Sequence, residues 1–518
     1  MNTDVGLPSA QLHPVALVGA GPGNPGLLTL RAVECLAQAE LVLYDRLVPD
    51  CLLAFAPETA KFICGEELPG CHPERIHNIH QRLIDAARAG RRVVRLKGGD
   101  PFIFGRGGEE AEALAEAGVE YEIVPGVTAA LGAAAYAGLP LTHRSYASAV
   151  AFVTGHERPD KTHNPLDWAA LARFPGTLVV YMGVARLPNV VGNLLANGMA
   201  TDTPTAAVHW ATTGRQRTIE SPLSGLAAAV EAAGLKAPAL LIIGATAALR
   251  PRLSWFEKRP LFGKRVLVTR PRHQAGDMVR QLEQLGAIVS VMPTVEVKEL
   301  ADYAPLDRAL ANLASYQWLV FTSVNGVHFF MRRLRHRGRD LRALGPVRLA
   351  VIGPATADAL REYHLEPDLI PPEYRSESLA TALKERVAGQ RVLLARADRG
   401  RDLLREELSH AAEVEQIAVY SQVDAVEIDL ELLEQISQGH IDYITLTSSK
   451  IAEALIRTLD PAARRRIRAG DVKLVSISPV TSAAIRKLDL PVAAEADEYT
   501  TAKVVDALVL LARNASGG

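Results

Sequence analysis

VALVGAGPGNPGLLTL, Val15–Leu30, holds a fold class in sixteen residues. Val15–Val18 is a short β-branched, apolar run of the kind that fills a buried strand. Four glycines follow (Gly19, Gly21, Gly23 and Gly26), and Thr29 then opens a stretch with Leu30, Val33 and Leu36 on one helical face, predicting a helix over Thr29–Ala39. Strand, glycine loop and helix in that order make one unit of an α/β sheet. The loop occupies the position of a dinucleotide fingerprint but fails its template. The third glycine position is Asn24, and Pro22 and Pro25 each remove a backbone donor that a pyrophosphate would need. Nothing in the chain fits GxxxxGK[ST] either. The glycines still imply close approach of the backbone to a ligand.

Working outward, the alternation repeats. Strands are expected at Leu41–Tyr44, Arg92–Leu96, Ala149–Thr154, Thr177–Tyr181, Thr205–Trp210 and Ala239–Ile243, with a further helix over Glu109–Ala117. The fold class is therefore α/β, with mainly parallel sheets. A segment rich in Pro and charge, RPRLSWFEKRPLFGKR, interrupts the pattern, and a domain boundary is expected near Phe256–Gly263. Beyond it the chain contains an internal duplication. KRVLVTRPRHQAGDMVRQLEQLGA resembles QRVLLARADRGRDLLREELSHAA, Arg265 matching Arg391; LVFTSVNGV resembles ITLTSSKIA, and RLAVIGPATADALREY resembles KLVSISPVTSAAIRKL, each at nearly the same offset. Two similar α/β lobes with a ligand cleft between them follow from that repetition.

With 518 residues the chain is long enough for two to four compact units. A formal net charge of -1 supplies no general basic field, which argues against nucleic-acid coating or a polybasic membrane anchor; no nucleic-acid or membrane partner is expected. Residues 1–14 are read as a disordered N-terminus, without the basic and apolar regions of a secretory signal, and a cytoplasmic location is expected. The four cysteines, Cys35, Cys51, Cys64 and Cys71, are too few to staple a chain of this size and are read as reduced thiols; with His72, His77 and His80 they fit no standard zinc spacing, and no metal is expected.

Two further segments of the first half carry chemistry: RVVRLKGGDPFIFGRGGEEAEAL (Arg92–Leu114) and VPGVTAALGAAAYAGLPLTHR (Val124–Arg144). Together with YDRLV, VTGH, VYMG and ATTGRQR, in that order, they make Val15–Phe256 resemble the uroporphyrinogen III C-methyltransferases of the tetrapyrrole methylase family, a two-subdomain α/β fold. The resemblance implies S-adenosylmethionine as cofactor. It carries methyl-donor binding onto Pro22, Gly98, Gly99, Asp100, Ile103, Thr128, Ala129, Met182 and Ala211, and substrate binding onto Arg106, Thr142, His143 and Arg144. Asp45 matches the carboxylate proposed as proton acceptor. Asn24 stands where Asp is usual, Ala211 where Gly is frequent, and Glu66 where the family commonly has lysine.

The second half, through VLVTRP, VFTSVNGV, AVIGPATADAL, ARADRGRDLLREEL, AVYSQV, TLTSS and SISPVTSAAI, resembles uroporphyrinogen III synthase. The implied fold is two-lobed, with the chain crossing between lobes near Val295 and Val423. The expected domains are 15–256, a linker at 257–262, and 263–513 divided into lobes 263–295 plus 423–513 and 296–422. Tyr420 matches the tyrosine considered the acid, and Thr322, Ser323, Asn325, Thr356, Ser448, Ser449 and Thr481 match polar positions lining the cleft. Each of these hydroxyls could equally cap the helix that follows its strand. Arg396, Arg399 and Arg401 are candidate carboxylate clamps, while Ser478 and Ala397 replace common glycines.

The combined resemblance implies a bifunctional enzyme: the second half closes hydroxymethylbilane to uroporphyrinogen III, and the first methylates it twice, giving precorrin-2, as a homodimer through the methylase half. A methylase of a later precorrin, joined to a non-catalytic two-lobed tetrapyrrole-binding module, is the alternative.

Overall fold

The computed structural model describes residues 13–69, 72–156, 166–399, 402–425 and 429–516. The chain forms two compact units, Met1–Gly263 with Leu285–Ile288, and Lys264–Gln284 with Val289–Gly518.

The first unit holds two five-stranded sheets. Strands β1 (Val15–Gly19), β2 (Leu41–Tyr44), β3 (Lys61–Cys64), β4 (Val93–Lys97) and β5 (Tyr121–Val124) form one, in the order β3-β2-β4-β1-β5 and parallel throughout. Helices cover both faces, so β1 is apolar at every position: Ala16 and Val18 enter one core cluster, Val15 and Leu17 the other. The expected helix after β1 runs Leu30–Ala37, with the Thr29 side chain accepting from the Ala32 amide. It stops two residues early because the amides of Gln38 and Ala39 bond back to Cys35 and Leu36, tightening the last turn. The expected N-terminal tail lies outside the described residues up to 12, whereas the Pro14 carbonyl accepts from the Val93 amide at 2.8 Å, extending the ladder.

The second sheet contains β6 (Val150–Thr154), β7 (Thr177–Tyr181), β8 (Pro204–His209), β9 (Arg217–Pro222) and β10 (Ala239–Ile243), ordered β6-β7-β10-β8-β9. Only β6 and β7 pair in parallel; the other pairings are antiparallel. Here the expectation of mainly parallel sheets gives way, because a short connection joins β8 directly to β9, and short connections return a chain antiparallel. The helix Ala129–Ala137 lies on this sheet: Ala130, Ala133, Ala134 and Ala137 pack with Val179, Ala206, Val208 and Ile242. Its small side chains bring backbone close to sheet.

The second unit has ten strands among the described residues. Strands β11 (Arg265–Val268), β12 (Ile288–Val291), β13 (Val295–Lys298), β14 (Trp318–Phe321), β15 (Arg348–Val351), β16 (Arg391–Ala397), β17 (Glu413–Asp424), β18 (Tyr443–Leu446), β19 (Lys473–Ser476) and β20 (Ala494–Glu495) form two sheets, β12-β11-β18-β19-β20 and β13-β17-β16-β14-β15. The duplicated segments are β11/β16, β14/β18 and β15/β19. Each sheet takes its first member from one repeat and the other two from the other repeat. The exchange occurs where the long β17 pairs antiparallel with β13, from Val295 opposite Asp424 to Lys298 opposite Ser421. Each repeat thus contributes strands to both sheets, and the two copies are folded through each other.

Candidate functional sites

In the first unit the C-terminal ends of β1, β4 and β5 converge, as ligand-binding edges of open α/β sheets do. Gly21 and Gly99 exchange both backbone hydrogen bonds, 3.1 and 2.8 Å, locking the glycine loop to the turn after β4. The approach leaves no room for a side chain: a Cβ on Gly126 would lie 2.2 Å from the Gly99 carbonyl oxygen, and one on Gly19 2.5 Å from the Gly126 Cα. Asp100 is the brace. Its carboxylate accepts from the amides of Phe102 at 2.8 Å and Gly126 at 3.0 Å, tying the β4 turn to the β5 turn.

The expected donor-binding positions gather around this junction. Pro22 packs on Gly132 of the alanine-rich helix, where a Cβ would meet its ring at 2.6 Å. Two residues on, Asn24 donates its amide to the Thr212 hydroxyl at 3.2 Å, bringing the Ala211 segment alongside. Ile103, Ala129 and Ala211 pack against one apolar cluster with Tyr181, whose phenol oxygen lies 2.6 Å from the Thr128 hydroxyl and accepts from the Ala130 amide. Burial raises the Tyr181 phenol above its ordinary pKa, so it stays a neutral pin between the two sheets. Met182 follows with φ 54°, half exposed. With Phe102, Phe104, Arg106, Gly107, Gly108, Glu109 and Thr154 it lines a cavity of about 490 Å³, a size that suits a small ligand. Phe104 and Arg106 share the left-handed backbone of Met182, at φ 54° and 57°. Such strain, of order 1 kcal/mol or more per residue, persists where surrounding structure imposes it, characteristically at sites.

Asp45 follows β2, and Gly98 would carry a Cβ 3.9 Å from that of Leu47 in the loop that Asp45 opens. The Asp45 carboxylate pairs with Arg95 and lies 3.9 Å from Lys97. Both cations project from β4 and are only 3% exposed, and both donate to the buried Glu110 at 2.9 Å. Burial works against the Arg95 cation, but the carboxylates of Glu110 and Asp45 outweigh it and hold its pKa above the ordinary value. Thr142, His143 and Arg144 form a turn closed by paired His143 and Ala147 backbone bonds. Thr142 and Arg144 are exposed, and none of the three lines the cavity.

In the second unit Tyr420 lies on β17, almost wholly buried. Its phenol oxygen is 3.1 Å from the Ser323 hydroxyl and also hydrogen-bonds Asn325. Burial pushes the phenol up in pKa, partly offset by those two bonds and the charge of Arg396; a protonated hydroxyl at neutral pH can act as an acid. Arg396 itself donates to Gln416 at 3.3 Å. Ser323 and Asn325 thus join Tyr420, with Thr322 preceding them at the end of β14. Thr356 is buried in the first turn of the helix Pro354–Arg361. Ser448 and Thr481 engage helix starts: Ser448 accepts from the Ile451 amide, and Thr481 bonds Ser478, which caps its own helix. Ser449 is the first residue of the helix that Ser448 caps. Arg399 pairs with Asp424, and Arg401 lies outside the described residues.

Residues 14–227 match the family described as Tetrapyrrole (Corrin/Porphyrin) Methylases, and residues 276–506 match Uroporphyrinogen-III synthase HemD. The porphyrin biosynthesis protein HemD of Ruminiclostridium josui is 35% identical over 497 residues, 96% of this chain and 97% of that protein. The chain belongs to this family of fused tetrapyrrole methylases and uroporphyrinogen-III synthases. The siroheme synthase of Chromobacterium violaceum is 50% identical over 244 residues, 47% of this chain; the chain spans about half of that protein, 52% of it. A crystal structure of uroporphyrin-III C-methyl transferase from Thermus thermophilus, complexed with S-adenyl homocysteine, is 42% identical, covering 45% of this chain and 99% of that one with a TM-score of 0.38.

In this methylase–synthase, the sequence reading passed over Arg95, Lys97 and Glu110, although two charges at alternate positions within the strand run Val93–Lys97 were a signal of a buried ionic cluster. Tyr181 sat inside VYMG unremarked, its role depending on a partner 53 residues away. No helix among the described residues is long and apolar enough to cross a membrane.

Proposed function

We propose that the chain is a bifunctional enzyme that closes hydroxymethylbilane to uroporphyrinogen III in its second unit and methylates that product twice, to precorrin-2, in its first. The observation that carries this reading is the pairing in one chain of a methylase unit with a synthase unit, whose product is the methylase substrate.

S-adenosylmethionine supplies a methyl sulfonium, an electrophile that an electron-rich pyrrole carbon attacks, forming a C–C bond as the S–C bond breaks. The chain's share is alignment, exclusion of water and a base. The residues fit such a donor: the glycine junction of Gly19, Gly99 and Gly126 lets backbone come close, and the neighbouring cavity offers Met182 and two phenylalanines. Pro22, Gly98, Gly99, Ile103, Thr128, Ala129, Met182 and Ala211 would hold the donor, with Asp100 shaping the loop that presents them. Asp45, steadied by Arg95, takes the proton lost from the macrocycle, and Arg106 meets the substrate's carboxylates. In the second unit Tyr420 donates a proton to the leaving hydroxyl of hydroxymethylbilane, which departs as water, while Ser323, Asn325 and Arg396 fix the phenol.

A homodimer formed through the methylase unit and a cytoplasmic location are part of the same reading. Incubation with hydroxymethylbilane, with and without S-adenosylmethionine, tests it by the isomer and methyl count of the product.

A further inference from the structure

Arg270, which follows β11 in the motif VLVTRP, has surroundings that structural duty does not explain. It is half-buried, its Nε has no hydrogen-bond partner, and it makes no ion pair among the described residues. Among the described residues its side chain bonds Gln274, from Nη2 to Oε1 at 3.2 Å. Asp277, the acid nearest in effect, pairs instead with Arg280, and burial lowers the pKa of the Arg270 guanidinium. A partly desolvated cation without a carboxylate is costly, and the cost is recovered when an anion arrives.

Gln274 shows which way that cation is directed. It belongs to the helix following β11, in one lobe, yet its Nε2 donates to Asn325 Oδ1 at 2.8 Å, in the other lobe. Asn325 in turn hydrogen-bonds Tyr420. A continuous polar path therefore runs from Arg270 through Gln274 and Asn325 to Tyr420, across the two lobes of one unit. Of the expected clamps, Arg396 lies on β16 and Arg399 just beyond it, away from the helix that carries Gln274.

We propose that Arg270 is a specificity residue for ring closure: its guanidinium takes a carboxylate of the polyacid substrate, and Gln274 fixes that contact relative to Asn325 and Tyr420. This rests on the reading of the second unit as a synthase. A guanidinium fork pairs with a carboxylate through two parallel N–H donors, which a lysine ammonium does not reproduce.

The test is steady-state formation of the type III isomer from hydroxymethylbilane by the full-length chain and its Arg270→Leu and Arg270→Lys variants. Competitive inhibition by uroporphyrinogen III, which has eight carboxylates, and by a four-carboxylate tetrapyrrole of the same ring is measured alongside. Arg270→Leu should raise KM about tenfold or more with kcat within about threefold, should lose most of the preference for the eight-carboxylate inhibitor, and Arg270→Lys should fall between. Methylation of supplied uroporphyrinogen III reports whether the variant chains remain folded. An unchanged KM and an unchanged inhibitor preference in Arg270→Leu would overturn the proposal alone. A wild-type chain that yields only the type I isomer would instead overturn the synthase reading beneath it. If Arg270→Leu fails to fold, the same comparison made on Arg270→Lys decides, an inhibitor preference equal to wild type counting against the proposal.

Discussion

The carboxylate of Glu66 accepts a hydrogen bond from the backbone amide of Arg46 at 3.0 Å, one residue beyond Asp45. At the position where the family resemblance implies a lysine, this chain braces the loop of its candidate base from the neighbouring strand end. Glu66→Gln, whose amide oxygen can still accept, should keep methylation within about threefold. Glu66→Ala should lower it about fivefold, the equivalent of one net hydrogen bond. Initial rates with supplied uroporphyrinogen III decide; equal rates for both variants would show that the brace is irrelevant.

Arg95 serves two carboxylates at once, Asp45 and Glu110. Removing it in Arg95→Met leaves Asp45 with Lys97 alone, at 3.9 Å. Breaking a buried pair costs roughly 3–5 kcal/mol, so urea unfolding of the first unit should shift by about that amount, and methylation should fall even where the chain is folded. A shift below about 1 kcal/mol would mean that the network is solvated.

The glycine junction predicts a contrast between two alanine substitutions. Gly126→Ala drives a Cβ to 2.2 Å from the Gly99 carbonyl oxygen, and overpacking of this kind costs about 1–3 kcal/mol or more. Gly192, inside the helix Leu187–Ala196, has nothing within 4 Å of its Cβ position, so Gly192→Ala should stabilise by about 0.5–1 kcal/mol. Thermal melts measure both, and calorimetry with S-adenosylhomocysteine should show weakened binding only for Gly126→Ala.

Much of this was legible in the sequence. The glycine loop, β1 and its helix were read from Val15–Leu30 alone because local signals agree there: a β-branched run, unsubstituted turns and a Thr29 cap. The duplication was legible as well, but its folding was not, since no local pattern states that β11 sits with β18 and β19 while β16 sits with β14 and β15. The site was legible where a motif was contiguous, as at Gly98–Asp100. It was not where a contact depends on a distant partner, as with Arg95 and Asp45, or Gln274 and Asn325. Asp100 shows the remaining gap: its motif was legible, but not that its two oxygens brace the amides of Phe102 and Gly126.

Burial raises the Tyr420 phenol above its ordinary value of 10.0. An acid of raised pKa keeps its proton until pH exceeds that value, so the alkaline limb of ring closure should lie above pH 10.0 rather than at or below it. Tyr420→Phe should reduce formation of the type III isomer at least about a hundredfold without touching methylation, the low end of what a positioned acid contributes. A limb well below that pH, with Tyr420→Phe active, would assign the acid elsewhere.

The Cys35 thiol is buried and pushed up to about 12, first by desolvation and then by the charge of Glu122. At pH 8 it should resist iodoacetamide in the native chain, while exposed Cys51 reacts. Peptide mass spectrometry with and without denaturant reads the difference.

The most direct measurement is the product formed from hydroxymethylbilane by the wild-type chain and by Asp45→Ala, each given S-adenosylmethionine. The wild type should give the dimethylated type III macrocycle, and Asp45→Ala unmethylated uroporphyrinogen III at the wild-type rate of closure. Type I product from the wild type, or loss of both activities in a folded Asp45→Ala chain, would contradict two separable sites acting in succession.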